Sequence, residues 1–409
     1  MDLYLDSCSR ARKSKGGGER EGGGTQGSFR RDFGWSRGVV ARLRDQRERS
    51  TRLDQSTLNK LLTVGVQNGA SDIHFRPGDP PIYRVNGVLR PLKMEKLHPD
   101  HTRQVALHVI SDPLTKTQLD SLQEYDTSYG LPGVARFRVN IYRQRGTIAC
   151  ILRIIPDEIP TIDGLGLPQV LKTIAGNEQG LVLVTGAAGS GKSSTLAAML
   201  DHINRTENLH ILTIEDPIEF IHKNVKSSIS QREIGPDTEN FAIGLRAALR
   251  QDPDVILVGD MRDMETVDIA LKASETGRLV FTSMHTMDAP RTINRLVSVF
   301  PAEEQAMVRM RLADSLKAIV SQRLLPRADG KGRTVAQEIL VQTPQVEQFI
   351  REDRAHELKD VIEHGGEPFG MQTFEQHLSQ LYQQTAITLE TAMSAAPRPD
   401  ELQRVLDSA

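Results

Sequence analysis

From Gly186 the chain reads Gly186, Ala187, Ala188, Gly189, Ser190, Gly191, Lys192, Ser193, with Ser194 next, a full match to the spacing G-x-x-x-x-G-K-[ST]. Chemistry at a phosphate needs these residue types in this order. Glycines without side chains let successive backbone N–H groups turn inward around phosphate oxygens, and a helix opening at the lysine points its positive end at them. In such a loop Lys192 meets the β and γ phosphates, and Ser193 is placed to hold Mg²⁺. The apolar run from Leu181 to Val184 and the stretch from Thr195 to Leu200 supply the strand and the helix that the loop must join.

Cleaving a phosphoanhydride also needs an acid to order Mg²⁺ or water, and positive charge for the transition state. Glu215, Asp216 and Glu219 stand at or just past the end of the apolar run from His210 to Ile214, the end where doubly wound sheets place ligands. A base must lie one hydrogen bond from its water, so one of the three can serve. From the residues alone they are equal candidates, and all three also fit a polar strand-to-loop edge. A second run, Val255 to Val258, ends in Gly259 and Asp260, the Walker B arrangement, in which the acid helps to hold Mg²⁺. Arg262, Asp263, Glu265 and Thr266 beyond it read as a solvated helix entry. A third run, Leu279 to Ser283, delivers His285 to a strand end, where an imidazole can sense a γ-phosphate.

These groups need a scaffold, and the pattern around them predicts an α/β fold. Apolar runs alternate with helical patterns at Phe241 to Leu249 and Met264 to Ala273, which implies right-handed crossovers and a mainly parallel sheet covered on both faces. A further helix is expected from Pro301 to about Leu324, with Leu312, Leu316, Ile319 and Val320 on one face, and the chain to about 395 reads as helical. Upstream lies a smaller α+β region. Ser56 is the expected cap of a helix stopping at Asn68 and Gly69, and short strands follow around Asn86 and Gly87, a hairpin turn. The expected division is 1–50 a basic, glycine-rich disordered tail, 51–155 the α+β domain, and 156–175 a linker with an entry helix. The catalytic domain with its helical C-terminal part takes 176–395, and 396–409 is a tail.

Composition narrows the classes. With 409 residues, 38% of them hydrophobic, the chain can bury two or three cores. A formal charge of −2 gives no general affinity for nucleic acid, and none is expected as a partner. Two cysteines, Cys8 and Cys150, exclude a disulfide framework and a cysteine zinc site. There is no apolar run of membrane-spanning length and no signal-peptide core, so the cytosol is the expected compartment.

The order of these motifs resembles the PilT-type pilus retraction ATPases, within the superfamily of type II secretion and type IV pilus motors. Besides the loop and the Walker B run, the resemblance rests on Ala70 to His74, Pro132 to Asn140, Thr213 to Phe220, Glu275 to Gly277 with His285, Phe300 to Glu304, Ser321 to Leu324, and Gly370 to Phe374. It implies a RecA-like ATPase domain behind a PAS-like N-terminal domain, with ATP and Mg²⁺ as ligands. It also singles out Glu219 as the water-polarising base, and assigns Arg138 and Arg153, with Arg136 a weaker candidate, to the nucleotide phosphates. A homohexamer is implied, acting on an inner-membrane platform protein, with a second motor ATPase as a further partner and a cytoplasmic position at the membrane periphery. The absence of a four-cysteine zinc module favours retraction over assembly.

Two positions depart from that pattern. Asp260 stands where the family usually has glutamate, and Arg278 where it usually has a first histidine. A carboxylate shortened by one methylene retracts by roughly 1 Å, enough to cost about 10²-fold in rate. Slow hydrolysis is therefore expected, and the alternatives are an accessory ring subunit of a pilus motor that hydrolyses weakly or not at all, or a related secretion or assembly ATPase. Residues 345–352 match the C-terminal motif of retraction motors only in part.

Overall fold

Alternation of side chains across an extended backbone decides how the catalytic sheet is covered. In the strands β7 (Gly180–Thr185), β8 (His210–Glu215), β10 (Val255–Val258) and β11 (Leu279–Met284), Leu181, Leu183, Leu212, Ile214, Ile256, Val258 and Val280 face one hydrophobic core. Val182, Val184, Ile211, Val255, Leu257, Leu279 and Phe281 face a second one on the opposite side. Both faces are apolar because helices cover both, which parallel crossovers require.

A computed structural model describes residues 53–85, 87–155 and 158–408. The basic tail read over 1–50, Asn86 of the expected turn, and Pro156 and Asp157 of the linker lie outside them. In the first region β1 (Ala70–Phe75), β2 (Ile82–Val85), β3 (Val88–Pro91), β4 (Glu124–Leu131), β5 (Ala135–Gln144) and β6 (Thr147–Ile155) form an antiparallel sheet in the order β3-β2-β1-β6-β5-β4. The helices Gln55–Gln67 and Pro99–Val109 bury Leu58, Leu62, Val105 and Val109 in one core with Phe75, Phe137 and Leu152. Asp54, rather than Ser56, caps the first helix, accepting from the Thr57 N–H at 2.8 Å. β4 is an edge strand whose polar composition gives no alternation to read.

The catalytic sheet has the order β13-β12-β7-β11-β10-β8-β9, with β9 at Ser228–Glu233, β12 at Leu316–Pro326 and β13 at Arg333–Val341. β7 lies between β11 and β12, and only β13 runs antiparallel to its neighbour. The single helix expected from Pro301 to Leu324 is corrected: a helix spans Gln305–Ser315, and Leu316, Ile319 and Val320 belong to β12. Their spacing matches one helix face, but a strand buried on both faces is apolar without alternation, and short apolar runs do not distinguish the two. β13 likewise interrupts the stretch expected to be helical to 395. The segment 396–409, expected to be a tail, contains the helix Pro399–Ser408, and its buried Leu402 packs in one cluster with Phe374 and Leu378. Among the described residues no helix is long and apolar enough to cross a membrane.

Candidate active site

The phosphate loop follows β7 directly and ends where the helix Lys192–Thr206 begins. Its sharp turn depends on backbone that only glycine adopts without strain: Gly189 has φ 75° and Gly191 φ 90°. At Gly186 a Cβ would stand 2.4 Å from the Gln322 carbonyl oxygen, so the loop has no room for a side chain there. Lys192 is buried, and its Nζ donates to the carbonyls of Gly186 at 3.0 Å and Ala187 at 3.1 Å. Burial pushes its ammonium below the usual lysine value, while the charges of Asp260 and Glu219 act in the opposite direction.

A cavity of about 490 Å³ opens at the C-terminal ends of the central strands. It is lined by Lys192, Ser193, Glu219, Asp260 and His285 and by Ala188 and Gly189 of the loop, seven of the site residues chosen from the sequence. Gly186, Ala187, Ser190, Gly191 and Ser194 shape the loop or its helix without lining the cavity. These residues fit a nucleotide with Mg²⁺: the glycine backbone and Lys192 suit phosphate oxygens, and Ser193 with Asp260 offers hard oxygen ligands to the metal.

Contacts separate the three acids of β8 and its following loop. Glu215 accepts from the Thr213 hydroxyl at 2.7 Å, from the Gln231 amide at 3.3 Å and from the Glu219 backbone N–H. Burial pushes its carboxyl up to about 7 even so. Its carboxyl is thus engaged in holding the loop, whereas Glu219 is exposed toward the cavity and its charge reaches Lys192. Asp216 also lines the cavity and is exposed.

At the tip of β10, Asp260 accepts from Arg262 Nε at 2.5 Å, and its Oδ2 lies 3.5 Å from His285 Nε2. Arg262, read as solvated helix entry, therefore lines the cavity through this pair. Asp263 lines the cavity too and caps the helix Met264–Glu275 by accepting from the Thr266 N–H at 2.8 Å, and Thr266 is buried rather than solvated. Arg278 lies away from the cavity and donates to the Thr276 carbonyl at 2.6 Å.

The expected arginines are not brought to the cavity of their own chain. Arg138 and Arg153 face one another across the β5–β6 ladder, and Arg153 pairs with Asp72 at 2.9 Å. Arg136 instead bonds Glu233 of β9 at 2.7 Å, and Glu233 also accepts the Ile218 N–H at 3.2 Å, next to Glu219. Sequence reasoning missed His222, Phe220 and Phe241, which also line the cavity. Burial holds the His222 imidazole below its ordinary value. Phe220 directly follows Glu219 in the segment Thr213 to Phe220, whereas nothing in their spacing marks His222 and Phe241, which folding brings in from a loop and a helix.

A parallel sheet, a glycine loop at a helix start and acids at neighbouring strand tips define a P-loop ATPase of the RecA-like kind. Residues 48–395 match the family described as Type II/IV secretion system protein, and the chain belongs to that family. It is 45% identical over 343 residues, covering 84% of this chain and 99% of the relative, to the Type IV pilus retractation ATPase PilT of Pseudomonas aeruginosa. It is 40% identical to the Type IV pilus ATPase PilU of the same organism, over 85% of this chain and 90% of that one. A crystal structure of the pilus retraction motor PilT with bound ADP superposes with a TM-score of 0.78 at 45% identity, covering 85% of this chain and 98% of that one. The ATPase DotB of Legionella pneumophila reaches 0.75 at 30% identity, over 84% of this chain and 96% of that one.

Proposed function

We propose that the chain is an ATP-hydrolysing motor that powers type IV pilus retraction, as a homohexamer in the cytoplasm acting on a platform protein at the inner membrane. What supports this is the convergence of Lys192, Ser193, Glu219, Asp260 and His285 in one cavity, in a chain resembling a retraction ATPase over nearly that relative's whole length. Lys192 and the loop N–H groups grip the β and γ phosphates, Glu219 polarises the attacking water, and His285 hydrogen-bonds the γ-phosphate. Ser193 and Asp260 would hold Mg²⁺, which would supply neutralising charge at the phosphate oxygens. Arg138 and Arg153 act on the nucleotide of the neighbouring subunit, which is consistent with their standing away from their own cavity. A strain lacking this protein is expected to carry excess pili that do not retract; bald cells would overturn the proposal.

Asp260 favours one second reading, a weakly hydrolysing ring subunit that supports another motor. If the short carboxylate limits turnover, Asp260→Glu raises kcat about tenfold or more, read as phosphate release. An unchanged or lower rate removes the ground for this reading, as does brisk turnover by the unmodified protein.

A further inference from the structure

The phosphate loop is held from behind by a residue of the adjacent strand. Gln322 of β12 is 1% exposed. Its Nε2 donates to the Ser190 carbonyl at 2.8 Å, and its Oε1 accepts from the Thr195 hydroxyl at 3.0 Å. One amide thus ties the end of the loop to the first turn of the helix beyond it. Its own backbone carbonyl closes the other end of the loop against Gly186. Farther back, Gln337 of β13 donates its Nε2 to the same Oε1 at 3.3 Å. The Gln337 backbone N–H in turn goes to Nδ1 of buried His377 at 2.9 Å, in the helix Phe374–Gln383.

Donating to one neighbour while accepting from two others is within reach of an amide, whereas a carboxylate cannot donate and leucine can do neither. The peptide between Ser190 and Gly191 is planar and trans, so a carbonyl drawn toward β12 fixes the Gly191 N–H in the opposite direction. A loop that binds through its N–H groups depends on that orientation.

The geometry points to Gln322 as a positioning residue for ATP: it holds the phosphate loop in its receiving shape and, through Gln337, ties that shape to the C-terminal helices. This rests on the loop being the nucleotide site.

The test uses the full chain, with titration of ADP in the presence of Mg²⁺, phosphate release, and thermal melting without nucleotide. Gln322→Leu is expected to raise the ADP Kd and the ATP KM about tenfold or more, because the Ser190 carbonyl and Thr195 hydroxyl lose a buried partner. Gln322→Glu keeps the shape but lacks the donor when ionised. Protonated, it regains an O–H for Ser190, so its KM relative to the unmodified protein falls as pH is lowered. A role confined to stability would move the melting temperature and leave that ratio flat. Unchanged Kd and KM in Gln322→Leu, or a pH-independent ratio in Gln322→Glu, overturns the inference. Should the leucine variant fail to fold, the glutamate variant decides. Undiminished ADP binding by Lys192→Ala would instead overturn the site itself.

Discussion

Lys192→Ala is expected to lower kcat/KM for ATP by about 10² to 10³-fold, the scale seen when a donor aimed at developing negative charge is removed from an enclosed site. Nucleotide affinity falls as well, by about tenfold or more, because hydrogen bonds to charged phosphate oxygens are among the stronger ones. The side chain is buried against the Gly186 and Ala187 carbonyls, so its removal acts on the loop directly. Alanine preserves the helix start, which keeps the comparison to the site rather than to the fold. Phosphate release and ADP titration on purified protein check this, and equal rates in the two proteins would exclude the proposed chemistry.

Replacing Glu219 is the second large effect. Glu219→Gln is expected to cut kcat by about 10² to 10⁴-fold with KM little changed, the range ascribed to general acid–base catalysis. Glu215→Gln should cost only a few-fold, since that carboxyl holds Thr213, Gln231 and the Glu219 N–H in place. Glu215 also carries a pH dependence of its own. The Glu215 carboxyl is raised from its ordinary 4.5 to about 7, so the stability it contributes is present below about 4.5 and lost as pH climbs through about 7. Glu215→Gln removes that loss, and its melting temperature relative to the unmodified protein should rise with pH over this window. A larger kcat loss in Glu215→Gln than in Glu219→Gln would reverse the assignment of the base.

Much of the catalytic domain was legible because its central strands are continuous apolar runs punctuated by a glycine loop and acids at their tips. Leu181 to Val184, Val255 to Val258 and Leu279 to Ser283 all fall within observed strands. The edge strands β4 and β9 were not legible: Glu124–Leu131 and Ser228–Glu233 carry polar residues that suit a sheet margin as well as a loop. At β12 the residues fitted the wrong period, because burial on both faces erases the signal that separates strand from helix.

By itself the sequence determined the phosphate loop, since the order of glycines, lysine and serine is local and its chemistry follows from backbone freedom and one ammonium. It also placed Asp260 and His285 at strand ends, because a run's boundary is a local property. Only the tertiary structure showed that Glu215 is engaged while Asp216 and Glu219 are left exposed at the cavity. The partners of Glu215 come from β8 itself, the loop after it and β9, and their geometry cannot be read from spacing. The tertiary structure likewise brought Gln322 against the loop from 132 residues away along the chain, because β12 returns to lie beside β7. It also kept Arg138 and Arg153 out of their own cavity, since they sit in register on a separate sheet.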